Sequence, residues 1–193
     1  MSSGQVIEYS NFSYLVNATA ACFGGAGPEA VMIPVLEKMT NLKYFSGSDT
    51  FLGLPQLQEL NILQASVVLP PMPELIKLVV TEATSPLRLA RTPKLQDLEI
   101  YGSHVIFSEL PQLHRLVISV SAPYEASLSH GTSKAELPAF PELKELICGR
   151  VSGLATLPWY PKLNKLVLNY PMMTNGRPVF TLEQYRHAWS TDS

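Results

Sequence analysis

The sequence predicts a curved solenoid of the α/β class, with a parallel β-sheet on its concave face and a mostly extended, irregular convex side, capped at both ends. Three observations predict it. First, the phrase apolar-x-x-x-Pro-x-Leu-x-x-Leu-x-apolar recurs six times between positions 51 and 168 without losing an anchor. Second, the last two apolar residues of the phrase stand two apart, which puts them on one face of a strand. Third, each phrase carries a proline before its strand, where a missing N–H is tolerated. Self-similarity at a fixed period signals units that bury a continuous core only by stacking.

Residues 1–33 read as an N-terminal cap, with residues 14–16 as a candidate strand and Gly24-Gly25-Ala26-Gly27 as the loop that ends it. Residues 34–170 hold about seven repeats. The first is diverged: Val35, Leu36 and Met39 have helical spacing before Leu42 and Phe45, so a short helix is expected there. Six full matches follow, with first leucines at Leu57, Leu75, Leu95, Leu113, Leu143 and Leu163. Their spacings are 18, 20, 18, 30 and 20 residues. The long interval holds a Ser-, Ala- and Gly-rich insertion near 119–136, read as a loop outside the stack. Proline pairs such as Pro138/Pro141 and Pro158/Pro161 are expected to hold the outer side in polyproline-like conformation. Residues 171–193 form the second cap. It includes a helix over 181–189 that begins at Thr181 with Glu183 in its first turn. Tyr185 and Trp189, four apart, are expected to pack onto Leu166 and Leu168.

The Leu-x-x-Leu-x-apolar segments resemble the leucine-rich repeat family over residues 36–171. The resemblance implies a right-handed coil in which each Leu-x-Leu segment is one strand of a concave parallel sheet. The short proline-containing units are similar to the repeats of bacterial effectors delivered into host cells. In those repeats an asparagine three residues after the second inward strand residue bonds neighbouring backbones. Here Ala65, Ala83, Ser103, Ser121, Val151 and Pro171 occupy that position. These turns must therefore satisfy their backbone in another way.

Residues flanking each second leucine point outward if the leucines point inward. The residue before it gives Tyr44, Glu59, Lys77, Asp97, Arg115, Glu145 and Lys165, with alternating sign from Glu59 onward. Strands about 4.8 Å apart place those charges side by side. They are read as a structural ladder of exposed ion pairs, each worth about 0–1 kcal/mol. The residue after it gives Ser46, Asn61, Val79, Glu99, Val117, Ile147 and Val167, and Leu63 and Tyr101 stand two positions further on. β-branched apolar side chains suit strands in general. On a wet face, however, a contiguous apolar patch marks a partner site.

Composition narrows the function. The chain has 193 residues, 46% hydrophobic and 16% charged, so it can bury a core. A net charge of −2 gives no general attraction to nucleic acid or to an anionic membrane. No apolar run approaches the roughly 20 residues that span a bilayer. The opening residues do not read as a signal peptide. Cys22 and Cys148 make no disulfide framework, which favours a cytoplasmic location. Sequons at Asn11 and Asn17 argue for the secreted alternative. No reaction centre emerges. The glycine stretch lacks a following Lys-Ser/Thr, and His104, His114, His130 and His187 lack metal-ligand spacing. Cys148 holds an inward position, no Gly-x-Ser-x-Gly occurs, and Glu59 and Asp97 sit beside cations.

The sequence therefore predicts a non-enzymatic, monomeric protein-protein interaction module that needs no cofactor or metal. Its partner contacts are expected at Val79, Glu99, Tyr101, Arg115, Val117, Ile147 and Val167, with affinity from the apolar residues and register from the charges. The alternative is the substrate-recognition part of an effector or ubiquitin-ligase-like protein whose catalytic domain lies elsewhere.

Overall fold

The fold is described from a computed structural model, which places residues 20–22, 44–47, 55–63, 69, 71–82, 87–89, 92–102, 105–107, 109–119, 137–149, 157–169, 172–174 and 176–190. The expected helix before Met39, the strand at 14–16, the glycine loop, both sequons, and Tyr124 and His130 of the insertion lie outside these residues.

Each repeat begins with a hydrogen-bonded turn. The carbonyls of Met72, Thr92, Leu110, Phe140 and Tyr160 accept from the N–H groups of Leu75, Leu95, Leu113, Leu143 and Leu163 at 3.1–3.3 Å. Pro73, Pro93, Pro111, Pro141 and Pro161 thus occupy the second position of a β-turn, where a fixed φ near −65° is already correct. This corrects the reading of the second proline in each pair as a brace for an extended outer segment. It sets the corner from which the strand departs.

The strands β1 (Ala20–Cys22), β2 (Tyr44–Gly47), β3 (Glu59–Leu63), β4 (Lys77–Thr81), β6 (Asp97–Tyr101), β8 (Arg115–Ser119), β9 (Glu145–Cys148) and β10 (Lys165–Leu168) form one sheet in that order, every neighbouring pair parallel. Rungs are joined at their entrance by shared acceptors. The carbonyls of Gln58, Ile76, Gln96, His114 and Lys144 each accept two N–H groups from the next rung, at 2.7–3.0 Å. The sheet starts one strand before the diverged first repeat, since Ala20 pairs with Tyr44. Between β4 and β8, β5 (Leu87–Arg88) and β7 (Val105–Ile106) pair in a second, two-stranded parallel sheet. The architecture is a parallel-strand solenoid. Among the described residues its one helix is terminal, so extended segments carry the outer side of the described turns.

Inward positions are occupied as the period requires. Leu60, Leu78, Leu98, Leu116 and Leu146 are at most 1% exposed, and Leu57, Leu75, Leu95, Leu113 and Leu143 are fully buried. Ile62, Val80, Ile100, Ile118 and Cys148 complete the second inner row. A third row, absent from the sequence reading, is the residue before each proline: Met72, Thr92, Leu110, Phe140 and Tyr160, all buried. Phe107 meets Phe140 edge-on at 5.7 Å, and Phe140 stacks on Tyr160 at 6.2 Å, so an aromatic spine runs through the later repeats.

Strand exits are tied to the adjacent rungs through the backbone. Glu82 and Gly102 adopt left-handed φ of 52° and 58°, and their N–H groups donate to the carbonyls of Tyr101 and Ser119 at 2.7 Å. At the next rungs donation runs the other way, from Gly149 to Ile118 and from Asn169 to Cys148.

The C-terminal cap combines a hairpin and a helix. β11 (Met172–Thr174) and β12 (Arg177–Val179) are antiparallel, and Gly176, just before β12, adopts φ 72°. The helix α1 (Leu182–Ser190) starts with a reciprocal capping box: Thr181 Oγ1 accepts from the Gln184 N–H, while Gln184 Oε1 accepts from the N–H groups of Phe180 and Thr181. Tyr185 and Ala188 are buried against the stack, and Trp189 is half-buried beside them. Tyr185 reaches past β10 to the last turn, where its hydroxyl donates to the Pro158 carbonyl and accepts from the Tyr160 N–H, both at 2.7 Å.

Candidate functional site

The period that sends the leucines inward sends their neighbours to the opposite face of the sheet. Register places Glu59, Lys77, Asp97, Arg115, Glu145 and Lys165 in one row and Asn61, Val79, Glu99, Val117, Ile147 and Val167 in the next. The predicted partner residues are thus brought to one face, although they do not form one continuous apolar patch.

The charges engage one another. Arg115 lies 2.8 Å from Asp97, 2.6 Å from Glu99 and 3.7 Å from Glu145, while Lys165 lies 2.7 Å from Glu145. Lys77 approaches Asp97 and Glu99 at 3.5 and 3.6 Å. Burial alone would push the Glu99 carboxyl upward. Hydrogen bonds from Tyr101 and Arg115, together with the charges of Arg115 and Lys77, outweigh that and hold it below the ordinary carboxylate range. The Tyr101 hydroxyl, donating to Glu99 at 2.7 Å, is raised by that bond first and by burial second. Arg115 is held more firmly protonated, chiefly by its bond to Glu99. Glu99 and Tyr101 therefore belong to the ion-pair network, and Glu99 interrupts the valine row at its third described rung.

Exposure along that row is uneven. Val79 and Ile147 are half-buried, Val167 is 39% exposed and Val117 only 6%. Val117 is a correction: expected as a contact on a wet surface, it is nearly inaccessible. It sits in register between Glu99 and Ile147, in the middle of the sheet, with a neighbour on each side. The accessible apolar surface shifts to the last two rungs. At the start of that row, Asn61 Oδ1 is buried with no partner among the described residues.

A second ion-pair set escaped the sequence reading. The residue after the turn proline carries it: Lys94 pairs with Glu74 at 2.7 Å and Lys162 with Glu142 at 2.6 Å, both on exposed turns. The signal was the sign alternation Glu74/Lys94 and Glu142/Lys162, each pair twenty residues apart. The bond from Lys162 lowers the Glu142 carboxyl.

No protein-family model matches the chain, and no curated protein or solved structure matches it either.

Chemistry elsewhere is sparse. Burial pushes the Cys148 thiol up to about 12, which suits a core residue. Among the described residues no cluster of His, Cys, Asp or Glu is arranged to hold a metal ion, and no helix is long and apolar enough to cross a membrane. A groove of about 640 Å³, lined by Phe107, Glu109, Leu110, Pro111, Pro138, Ala139 and Pro141, lies where the long interval separates two turns. Its lining pairs no nucleophile with a base.

Proposed function

We propose that this chain is a leucine-rich repeat module that docks a protein partner on the outer face of its sheet, at the C-terminal rungs. The observation that carries the reading is the exposure of Val167 beside half-buried Ile147, on a face where neighbouring charges neutralise one another. A self-paired ladder leaves little unbalanced field to attract nucleic acid or small ions, so apolar contact is the affinity this face can offer. The ladder also holds the rungs in register, keeping the surface pre-organised and lowering the ordering cost of binding. Within the family, a rigid concave sheet is the usual place for such contacts.

The reading is tested by affinity capture with the wild-type chain, Ile147→Glu and Val167→Glu, identifying captured proteins by mass spectrometry. Both variants should keep the wild-type circular dichroism spectrum and lose a partner that the wild type retains. Val117→Glu is unsuitable, because burying a carboxylate at that position unfolds the chain before it informs on binding. Folded variants that retain every wild-type partner overturn the placement of the surface.

A further inference from the structure

Among the described residues the last strand of the sheet, β10, pairs with β9 and with no other strand, and helix α1 approaches it without pairing to its backbone. Lys165 and Asn169 direct their N–H groups at β9, donating to the carbonyls of Lys144 and Cys148. By strand alternation Leu166 and Leu168 direct theirs away from the sheet. None of the hydrogen bonds among the described residues ends on those groups. The side chains report the same opening. Leu166 and Leu168 are half-buried where their counterparts Leu146 and Cys148 are 0% and 2% exposed. The charge row is also unfinished. Asp97, Arg115 and Glu145 each stand between two opposite charges, whereas Lys165, 55% exposed, has only Glu145 among the described residues.

We propose that β10 accepts an extended segment of another protein as a ninth parallel strand, with an acidic residue opposite Lys165 and an aliphatic residue opposite Val167. The alternation that runs through the stack specifies the acid, because from Lys77 to Lys165 each neighbouring acid and base of the row lie within 4 Å of one another. Residues opposite Leu166 and Leu168 are apolar, since they cover the part of the inner rows that remains open. Edge pairing supplies main-chain hydrogen bonds, and alternate side chains supply the selectivity. A second copy does not fit. Its β1 strand offers Ala20-Ala21-Cys22, without an acid, and a two-fold β10–β10 pairing sets Lys165 against Leu168. This inference names the partner's chemistry within the reading above but uses the strand edge, so the two can fail separately.

The test uses the full chain and a blocked, fluorescein-labelled peptide with the core Glu-Leu-Val-Ile, followed by anisotropy. A Lys-Leu-Val-Ile peptide should bind about tenfold more weakly, the size of exchanging a cross-strand attraction for a repulsion. Lys165→Glu should reverse that preference. N-methylation of the peptide's Glu or Val, whose N–H groups face β10, should abolish binding, whereas N-methylation of its Leu or Ile should not. Hydrogen exchange at Leu166 and Leu168 should slow in the complex. No saturable binding, equal affinity for both peptides, or indifference to the position of the methyl group overturns the proposal. Failure of the peptide while Ile147→Glu still abolishes partner capture removes the edge and keeps the face.

Discussion

Replacing Arg115 with methionine tests whether the outward charges are a structural network or a loose surface decoration. The guanidinium makes short bonds to Asp97 and Glu99 and a longer contact with Glu145, and it is 33% exposed while those acids are 15–25% exposed. Removing one partner of a fully buried pair costs about 3–5 kcal/mol, and an exposed pair is worth about 0–1 kcal/mol. A half-buried hub with two good charge-assisted bonds falls between, at about 2 kcal/mol. Lys94→Met is the control. Its 2.7 Å contact with Glu74 has equally short geometry, but both side chains are 44–49% exposed, so the loss should stay under about 1 kcal/mol. Urea unfolding at neutral pH measures both, and added salt should shrink the Lys94 effect more. The pH dependence has a definite sign. Glu99 is lowered in the folded protein from an ordinary value of 4.5, so its contribution is complete above that value and is lost as pH falls through the lower folded value. In Arg115→Met, Glu99 loses the bond and the charge of Arg115, two of the causes that lower it, so it moves upward from its wild-type position. The penalty should therefore diminish in acid, where the carboxylates are protonated in both proteins. Equal costs for the two variants, or an Arg115→Met penalty constant from neutral pH into acid, refute the network account.

Three other substitutions probe the stack itself. Gly149→Ala places a Cβ 2.6 Å from Ser119 Oγ and 2.9 Å from Ser119 Cβ, so thermal unfolding should show a loss of about 1–3 kcal/mol. Ser119→Gly in that background should recover part of it. Thr92 is 1% exposed and its hydroxyl has no partner among the described residues, so Thr92→Val should be neutral or stabilise by about 1 kcal/mol in urea titrations. Tyr185→Phe strands the buried Tyr160 N–H, and should cost about 1–3 kcal/mol with faster amide exchange at Tyr160.

Much of the fold is legible in the sequence because the repeat makes each rung's environment a copy of its neighbour's. Leu78 and Val80 needed no knowledge of distant chain to be placed inward, since alternation and a recurring partner suffice. The C-terminal helix was legible from Thr181 and the spacing of apolar residues after it, although the return bond from Gln184 was not noticed. The prolines show where such reading fails. Polyproline and β-turn conformations share a φ near −65°, so Pro141 and Pro161 were compatible with either. The carbonyls of Phe140 and Tyr160 decide it by accepting from the third residue on. The buried row before the prolines passed unnoticed because Met72, Thr92, Leu110, Phe140 and Tyr160 share burial but no single residue type.

Period alone determined that this chain is a stack of parallel strands, which residues line its interior, and which reach its outer face. Tertiary structure decided which outward groups are free to act. Val117 and Val167 occupy the same position in the phrase, yet one is shielded and the other is open. Glu99 stands in a row of valines, yet its chemistry is set by Arg115 on the next strand and Tyr101 two residues on. Accessibility and charge pairing are properties of neighbours brought close by folding. A residue's own type and its place in the period contain neither.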